Sequence, residues 1–331
     1  MPEAELPEAE FAASALALPD LDAIRAAQAR IAPYVHRTPV LSCRSLDAEV
    51  GARLFFKAEN VQRTGAFKAR GATNAVFSLS DAEARRGVVT HSSGNHGAAL
   101  AYAAQRRGVP AYVVMPENAA RVKQDNVRRR GATIHFCAPT VAARDTACAE
   151  VQRKTGATLV HPFDDARVIA GQGTAALELI DESPRLDVVI APVGGGGLLS
   201  GTAIAVKSVD RTMRVFGAEP ANADDAARSF RSGRIEPLPA ATTIADGLRT
   251  TLSPRTLAAI RAGVNAIGTT SEEAIVRAMR MIWERMKIVV EPSAAVPLAC
   301  LLERTLDVHD AAVGIILSGG NVDLDRLPWQ V

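Results

Sequence analysis

Short apolar runs alternate with longer amphipathic segments along most of the chain. The short runs have the length of buried strands, whereas the longer segments repeat apolar residues at helical spacing. This alternation predicts crossover units with parallel strands, and therefore an α/β fold. The predicted strands are Leu54–Lys57, Val88–Thr90, Ala111–Met115, Thr133–Cys137, Leu159–His161, Val188–Pro192, Val215–Ala218, Ile288–Val290 and Val313–Leu317. The predicted helices include Asn95–Arg107, Ala142–Thr155, Val168–Asp181 and Ser271–Met286.

The glycine-rich and polar loops of the chain directly follow predicted strands. Such loops come after Thr90, Val193, Ala218 and Leu317. Ligands of open parallel sheets bind outside the carboxyl ends of the strands, so one cleft could collect all four loops. A chain of 331 residues is long enough to form two lobes around such a cleft.

Composition narrows the classes of partner. The 38 Lys and Arg residues nearly balance the 36 Asp and Glu residues, which argues against nucleic acid and acidic membranes as partners. Four cysteines without any C-x-x-C pair predict reduced, structural thiols. The N-terminal segment carries four glutamates before a short Ala/Leu stretch, which is the wrong charge for a signal peptide and too short for a membrane span. We therefore expect a cytoplasmic protein.

Four consecutive glycines, Gly194–Gly197, follow the run Val188–Pro192 and precede a predicted helix. Four glycines in a row are costly in chain entropy, which makes a simple turn a poor explanation. Unhindered amides at the start of a helix can wrap a phosphate group. The segment matches neither the G-x-x-x-x-G-K-[ST] nor the G-x-G-x-x-G pattern of nucleotide-binding loops. It therefore favours a phosphate site without either of these motifs.

A dinucleotide-dependent oxidoreductase is the main alternative for this loop. Glu219 ends the next predicted strand roughly 20 residues further on, where an acidic residue would contact a ribose. This alternative gives no role to Lys68, to the loop Ser92–Gly97 or to Ser318. A third possible class is a regulatory protein that has the fold of an enzyme but catalyses no reaction.

A lysine at an unusual position suggests covalent chemistry. Lys68 lies just after the Thr64–Gly65 turn, at the predicted start of a helix. A positive charge gains nothing near a helix N-terminus, whereas a lysine converted to a Schiff base is tolerated there. The alternative is a solvated surface lysine.

Two further loops carry polar groups at strand ends. The loop Ser92–Gly97 opens an Ala-rich helix, and its free amides could bind a substrate carboxylate or simply form an ordinary helix cap. His96, taken alone, is equally compatible with packing or capping. Ser318 ends the run Val313–Leu317, and its neutral hydroxyl could hydrogen-bond a heterocyclic nitrogen without forcing a proton onto it, unless it is only a turn residue.

Together, and in this order, the loops Thr64–Gly71, Ser92–Gly97, Gly194–Gly197 and Ser318–Asn321 resemble the fold type II pyridoxal-phosphate enzymes, in particular the serine racemase and serine/threonine dehydratase family. The resemblance runs from about Arg37 to the C-terminus. It implies two lobes, each with a mainly parallel sheet flanked by helices. The large cofactor-binding domain would comprise residues 1–86 and 161–331, and the small domain residues 87–160. The resemblance also includes Ile169–Thr174, Thr243–Gly247 and Trp283–Lys287.

The resemblance implies a complete cofactor site for pyridoxal 5'-phosphate. Lys68 would form the Schiff base, Phe67 would lie against the cofactor ring, and Asn95 would hydrogen-bond the 3-hydroxyl. Ser318 would meet the pyridine nitrogen. The phosphate would be bound by the backbone amides of Gly194, Gly195, Gly196, Gly197 and Leu198.

The implied reaction is the conversion of a small β-hydroxy amino acid to a 2-oxo acid and ammonia, with serine, threonine and 3-hydroxyaspartate as candidate substrates. Lys68 would act as the base. Ser93 resembles the serine that faces the lysine across the cofactor in serine racemase, and a second acid on that face permits racemisation, so an amino-acid racemase is the alternative. The substrate-binding residues would be Ser92, Ser93, Asn95, His96 and Arg144.

Arg144 bears on the choice among these substrates. It aligns with an arginine that faces dicarboxylate ligands in the family, and a guanidinium there could hold a second carboxylate. Residues 321–329 resemble the ending of bacterial β-hydroxyaspartate dehydratases. The alternative for Arg144 is a solvated helix arginine, so all three substrates stay open.

The resemblance further implies a cation site and a homodimer. Glu219, the carbonyl of Ala223 and Asp225 match the divalent-cation site of the family, and such an oxygen set suits Mg²⁺ or Ca²⁺. The alternative is an acidic helix start, in which Asp224 and Asp225 favour the positive end of the helix dipole.

Overall fold

The computed structural model describes residues 17–92, 94–119, 121–238 and 241–330. The strands are β1 (Val40–Leu41), β2 (Arg53–Ala58), β3 (Val88–His91), β4 (Ala111–Pro116), β5 (Thr133–Cys137), β6 (Thr158–Leu159), β7 (Val188–Pro192), β8 (Arg214–Pro220), β9 (Ala266–Thr270) and β10 (Ala312–Leu317). The helices are α1 (Leu21–Ile31), α2 (Arg44–Val50), α3 (Lys68–Phe77), α4 (Asp81–Arg86), α5 (Asn95–Arg107), α6 (Arg121–Arg128), α7 (Val141–Thr155), α8 (Ala166–Glu182), α9 (Gly197–Val209), α10 (Asp225–Ser232), α11 (Pro254–Gly263), α12 (Glu272–Met286) and α13 (Pro292–Leu302). Short 3₁₀ turns lie at Glu59–Val61, Arg63–Gly65, Ala221–Ala223 and Asp246–Leu248.

The strands form two mainly parallel sheets, as the predicted α/β class requires. The larger sheet has six strands in the order β1-β2-β10-β7-β8-β9, and only β1 pairs in antiparallel fashion. The smaller sheet has four parallel strands in the order β5-β4-β3-β6. All four strands of the smaller sheet lie between β2 and β7 in the chain. The two-lobed α/β prediction is confirmed, whereas the domain borders at residues 86/87 and 160/161 stay a prediction.

The apolar core covers both faces of the larger sheet. Alternate residues of a strand point to opposite faces, so Val188 and Ile190 join one buried cluster while Val189 joins the other. Every residue of β7 and β10 is buried. Strands covered on both faces appear in the sequence as continuous apolar runs, which is why the pattern predicted these two well.

Helix α3 connects the two sheets. Its residue Val76 belongs to the same buried cluster as Leu100 of α5, Val113 of β4 and Val168 of α8. Because Lys68 is the first residue of α3, it lies where the smaller sheet meets the helices of the larger one.

A buried ionic network fixes the start of α3. The fully buried guanidinium of Arg70 donates to both carboxylate oxygens of Glu59 at 2.8 Å and to both oxygens of Glu178 at 2.7 Å. The ammonium of Lys57, also fully buried, lies 2.8 Å from Glu178. Such bidentate contacts fix the orientation of both partners, so the turn of α3 that carries Lys68 is held on one side by the turn Glu59–Val61 and by α8.

The predicted strand Ile288–Val290 is wrong. Lys287 ends α12 in the left-handed conformation with a φ of 61°, and the following segment is irregular. The carbonyl of Val290 accepts a hydrogen bond from the indole of Trp283 at 3.0 Å, which satisfies it without a neighbouring strand. Within this apolar run Val290 is fully buried, whereas Val289 is 44% exposed, so the run is not covered as a central strand would be.

The sequence pattern also missed two strands, β1 and β9. Each lies at an edge of the larger sheet, where one side of the strand has no neighbour. Strand β1 has only two residues, and β9 combines Gly and Thr residues with partial exposure. Neither has the continuous apolar run that identifies a central strand.

Two further observations concern the thiols and the membrane. Cys43, Cys137, Cys148 and Cys300 are free. Burial raises the pKa of the Cys300 thiol to about 12, which makes it unreactive. Within the described ranges, no helix combines the length and the apolar character that crossing a bilayer requires.

Candidate active site

Two loops at the start of α3 and the end of β10 are joined by their backbones. The amide of Phe67 donates to the carbonyl of Ser318 at 3.0 Å, and the amide of Gly320 donates to Gly65 at 2.9 Å. Gly65 has a φ of 75°, a conformation that favours glycine, and it follows Thr64 with a φ of 62°. This turn places Lys68 beside the Ser318 loop.

Lys68 has the environment of a reactive amine. Its Nζ donates to the carbonyl of Pro162 at 2.8 Å and lies 5.1 Å from the centre of the Phe67 ring. Burial lowers the pKa of Lys68 to about 8, although the carboxylate of Glu291 opposes the shift. A substantial neutral fraction near neutral pH is what a Schiff-base lysine requires.

Asn95 lies at the start of α5 and is held by two residues of the larger lobe. Its Nδ2 donates to the two carboxylate oxygens of Glu291 at 2.9 and 3.2 Å. Its Oδ1 accepts from Nδ2 of Asn321 at 2.9 Å. Asn95 and the Ser318–Asn321 loop are therefore neighbours. The structure thus brings together three of the four predicted loops, namely Thr64–Gly71, which carries Lys68, Ser92–Gly97 and Ser318–Asn321.

The loop before Asn95 is only partly described. Ser92 accepts a hydrogen bond from the amide of Gly94 at 3.2 Å, which forms a local turn. Ser93 lies outside the described residues. His96 is buried, its Nε2 lies 3.1 Å from the carbonyl of Val160, and its Nδ1 has no partner in the described residues. Burial, followed by the charge of Lys68, lowers the pKa of His96 well below its usual value, so this imidazole is neutral.

The glycine loop forms a tightly enclosed cradle. A Cβ atom on Gly194 would lie 2.9 Å from the Cα of Leu248, and one on Gly195 would overlap the ring of Phe163. Gly196 has a φ of 88° and precedes α9, whose first residue is Gly197. Leu198 follows in the first turn and is buried. The first turn of a helix has unpaired amides, and a loop without side chains lets an anion approach them, so these residues fit a phosphate group.

The segment 161–165 is part of the site, although no motif in its sequence indicates this. His161 was predicted to end a strand, but its Nδ1 instead accepts hydrogen bonds from the amides of Phe163 and Asp164 at 3.4 and 2.9 Å. Asp164 forms an ion pair of 2.7 Å with Arg255, the second residue of α11. This turn presents the Pro162 carbonyl to Lys68 and the Phe163 ring to the glycine loop. The one available signal was its position after a predicted strand.

The predicted cation ligands lie together behind the end of β8. Both oxygens of Glu219 accept from the amides of Ala226 and Ala227, at 3.0 and 2.9 Å, so this carboxylate caps α10. Both oxygens of Asp225 are buried without a hydrogen-bond partner in the described residues. Burial raises the pKa of Glu219 to about 9 and that of Asp225 to about 7. Unpaired buried oxygens next to the Ala223 turn fit a hard cation, although the described residues contain no group of three His, Cys, Asp or Glu ligands.

The same geometry bears on the dinucleotide alternative. Glu219 is fully buried and satisfied by the helix amides, which leaves its carboxylate no access to a ribose. The acidic residue that motivated this alternative therefore does not face a ribose site.

Arg144 lies on α7 and is not linked to Lys68 by any contact in the described residues. It is close enough to His91, the last residue of β3, to act on it: burial lowers the pKa of His91, and the charge of Arg144 adds to this effect. The ring of His91 contacts that of His161, with 5.2 Å between the centroids. Arg144 thus lies near His91 at the carboxyl end of β3. His91 directly precedes Ser92, the first residue of the loop Ser92–Gly97.

Comparisons with known proteins identify the family of this chain. The family described as "Pyridoxal-phosphate dependent enzyme" matches residues 31–319. The chain is 51% identical over 316 residues to a serine racemase of Oryza sativa subsp. indica, which covers 94% of this chain and 93% of the relative. It is 49% identical over 313 residues to a beta-hydroxyaspartate dehydratase of Paracoccus denitrificans, which covers 95% of this chain and 99% of the relative.

The solved structure of maize serine racemase superimposes with a TM-score of 0.91 at 48% identity. This alignment covers 93% of this chain and 95% of the maize chain. The matching family, the close relatives and the shared fold all span nearly the whole chain, and the chain therefore belongs to the pyridoxal-phosphate-dependent enzyme family.

Proposed function

We propose that this enzyme removes the β-hydroxyl and the amino group of small β-hydroxy amino acids, releasing a 2-oxo acid and ammonia, and that it also interconverts their L and D forms. The observation that carries the proposal is the meeting of Lys68, Asn95 and the Ser318 loop beside an enclosed glycine cradle. The relatives named serine racemase and beta-hydroxyaspartate dehydratase support the same chemistry.

The cofactor site would use the residues that fit it. When bound, pyridoxal phosphate supplies an aldehyde for the lysine and an electron sink for the substrate carbanion. Lys68 would hold the cofactor covalently and, once released by the substrate amine, move the α-proton. Phe67 would lie against the ring, Asn95 would bind the 3-hydroxyl, and Ser318 would meet the ring nitrogen. The phosphate would be held by the amides of Gly194–Gly197 and Leu198.

The choice of a serine at the ring nitrogen affects the reaction outcome. A hydroxyl can donate to a neutral nitrogen without protonating it, in contrast to a carboxylic acid. Ser318 is almost fully buried, so bulk water does not replace this contact. A neutral pyridine ring withdraws electron density less strongly than a protonated one, so the substrate carbanion would be less delocalised. This favours prompt loss of the β-hydroxyl over slower side reactions such as transamination.

The substrate carboxylate would bind at the start of α5. Asn95 and His96 are the first two residues of this helix, where unpaired amides and the helix dipole favour an anion. Ser92 precedes them in the same loop. His96 is neutral and its Nε2 meets the carbonyl of Val160, so its backbone amide rather than its imidazole would bind the carboxylate.

The proposal is tested by following L-serine in two assays, one for ammonia and one for D-serine. We expect the wild-type enzyme to release ammonia. In Ser93→Ala, D-serine formation should fall at least about 100-fold while ammonia release changes little, because a positioned acid contributes this much to proton transfer. Equal loss of both activities would instead mean that Ser93 binds the carboxylate. Absence of ammonia release from serine, threonine and 3-hydroxyaspartate would contradict the proposed function.

Arg144 would select dicarboxylate substrates. In Arg144→Gln, kcat/KM for 3-hydroxyaspartate should fall about tenfold or more, because a hydrogen bond to a charged group contributes about 1.5–3 kcal/mol. The value for serine should change less. Arg153→Gln serves as the control, since Arg153 is an exposed residue in the last turn of the same helix. A parallel loss for both substrates would assign Arg144 a structural role.

Three further expectations belong to this proposal. Glu219, the Ala223 carbonyl and Asp225 would bind Mg²⁺ or Ca²⁺, and the unpaired buried oxygens of Asp225 support this site. The chain would act as a homodimer. The free cysteines are consistent with a cytoplasmic location.

A further inference from the structure

A buried carboxylate, that of Glu291, lies among the cofactor-site residues without any role assigned by the sequence. Glu291 is 4% exposed and directly precedes α13. Residues at this position often cap their own helix, but the Glu291 side chain makes no such bond. It accepts instead from Nδ2 of Asn95 at 2.9 and 3.2 Å and from the amide of Asn321 at 3.2 Å.

The backbone around Glu291 is shaped to accommodate this carboxylate. A Cβ atom on Gly319 would lie 2.7 Å from Oε1 of Glu291 and 3.1 Å from the Cβ of Ala66. The amide of Glu291 also donates to the carbonyl of Gly319 at 3.0 Å. The glycine after Ser318 therefore leaves the space that brings Glu291 against the loop of the ring-nitrogen contact.

The hydrogen bonds around Asn95 determine which way its amide faces. A carboxylate only accepts, so the Asn95 atom next to Glu291 must be the nitrogen. The Asn95 oxygen then accepts from Asn321, whose own Nδ2 also donates to the carbonyl of Thr64 at 2.8 Å. The Asn95 nitrogen therefore faces both oxygens of Glu291 in this structure, and one of its two N–H groups would turn to the phenolic oxygen of the cofactor when the cofactor is bound.

Glu291 also dominates the charge around Lys68. Its carboxylate raises the pKa of Lys68 against the effect of burial. His96 and His161 also interact with Lys68, and both are neutral because burial lowers their pKa, for His161 to about 4; the carboxylates of Asp164 and Asp165 act on His161 in turn. The carboxylate whose charge acts on Lys68 itself is that of Glu291.

We propose that Glu291 is a positioning residue of the cofactor site, which orients the Asn95 amide toward the 3-hydroxyl and keeps a proton on the nitrogen that joins Lys68 to the cofactor. The proposal rests on the proposed cofactor contacts of Lys68 and Asn95, and it involves no substrate. Its tests therefore use binding and absorption, and they can fail while the proposed reaction stands.

The first test is Glu291→Gln in the purified holoenzyme. A carboxamide keeps the shape but offers one acceptor instead of two and removes the charge. We expect the dissociation constant of pyridoxal phosphate to rise about tenfold, which corresponds to the loss of one charge-assisted hydrogen bond. We expect the apparent pKa of the visible imine band to fall by about one unit, because a nearby anion favours the protonated form.

A second variant and a control separate the two roles. Glu291→Asp keeps the charge and should restore the imine pKa more fully than the cofactor affinity. Glu303→Gln, at the other end of α13, removes a carboxylate that binds Ser271 and Thr270, and it should alter neither value.

The double variant Asn95→Ala/Glu291→Gln tests the route of the effect. If Glu291 acts through Asn95, Glu291→Gln should change the dissociation constant less than about twofold in the Asn95→Ala background, while the imine pKa still falls. An equal loss of affinity in both backgrounds would overturn the positioning role, and an unchanged imine pKa would overturn the charge role. If Glu291→Gln does not fold, Asn321→Ala tests the orientation of Asn95 from its other side with the same affinity measurement.

Discussion

The Lys68→Ala variant is expected to fold, to bind pyridoxal phosphate only without a covalent bond, and to release ammonia at least about 10³-fold more slowly than the wild type. A positioned base alone contributes about 10²–10⁴ to a rate, and this variant also loses the covalent exchange. Folding should persist because alanine favours a helix, and because the one hydrogen bond that Lys68 is seen to donate goes to the carbonyl of Pro162, with a contact to the Phe67 ring and the charge of Glu291 beside it. The reducible visible band should disappear.

The measurement is the mass increase at residue 68 after borohydride reduction, together with the rate of ammonia release. Lys207→Ala is the matched control, since Lys207 lies on α9 and donates to the carbonyl of Met213 at 2.7 Å, away from the site. The control should retain the band, the mass increase and the rate. A Lys68→Ala variant that keeps a reducible band would place the covalent bond on another amine and refute the assignment.

The pH dependence follows from the same amine. Only the neutral form of Lys68 can take the α-proton, and its pKa lies at about 8. The fraction of competent amine therefore increases as the pH rises through this value. Because burial lowers the pKa of Lys68, this amine loses its proton near pH 8 and not above pH 10.

The residues predicted from the sequence share a local signature. Lys68, Gly194–Gly197 and Ser318 each lie in a loop with glycines or hydroxyls that follows or borders an apolar run, and the chemistry is visible in the loop itself. The parallel central strands were predicted because both of their faces are buried. These features depend on neighbouring positions in the chain.

The features that were missed depend on distant pairs. Glu291 and Asn95 are 196 positions apart, and Lys68 and the Pro162 carbonyl are 94 positions apart. Glu291 lies between an apolar run and a Pro-started helix, where it resembles an ordinary helix cap. Its side chain points away from its own helix because Gly319 leaves room for the carboxylate. The spacing of apolar residues in the sequence does not indicate this contact.

The predicted strand at Ile288–Val290 failed for a related reason. The apolar run predicted a buried strand, but Val289 is exposed, and the burial of Val290 alone does not require pairing with a strand. Trp283 supplies the hydrogen bond that a neighbouring strand would have given, and this could not be known before α12 and the segment after it were placed.

The Gly195→Ala variant is expected to weaken cofactor binding about 100-fold. The backbone of Gly195 is not in the left-handed region, so alanine meets no conformational barrier there, and the effect comes from space. The added methyl group would overlap the Phe163 ring, and overpacking of this kind costs about 1–3 kcal/mol. The ring or the loop must move, and the amides would then no longer point at the phosphate together.

A control and a second variant identify the cause. Gly108→Ala introduces strain at a φ of 71° but leaves its methyl group in open space at the end of α5, so it should lower stability without changing the cofactor dissociation constant. Phe163→Ala combined with Gly195→Ala removes the overlap with the ring. If affinity returns, the ring sets the width of the cradle; if the loss persists, the phosphate itself needs the space that a methyl group would fill. Unchanged affinity in Gly195→Ala alone would show that the phosphate does not bind in this loop.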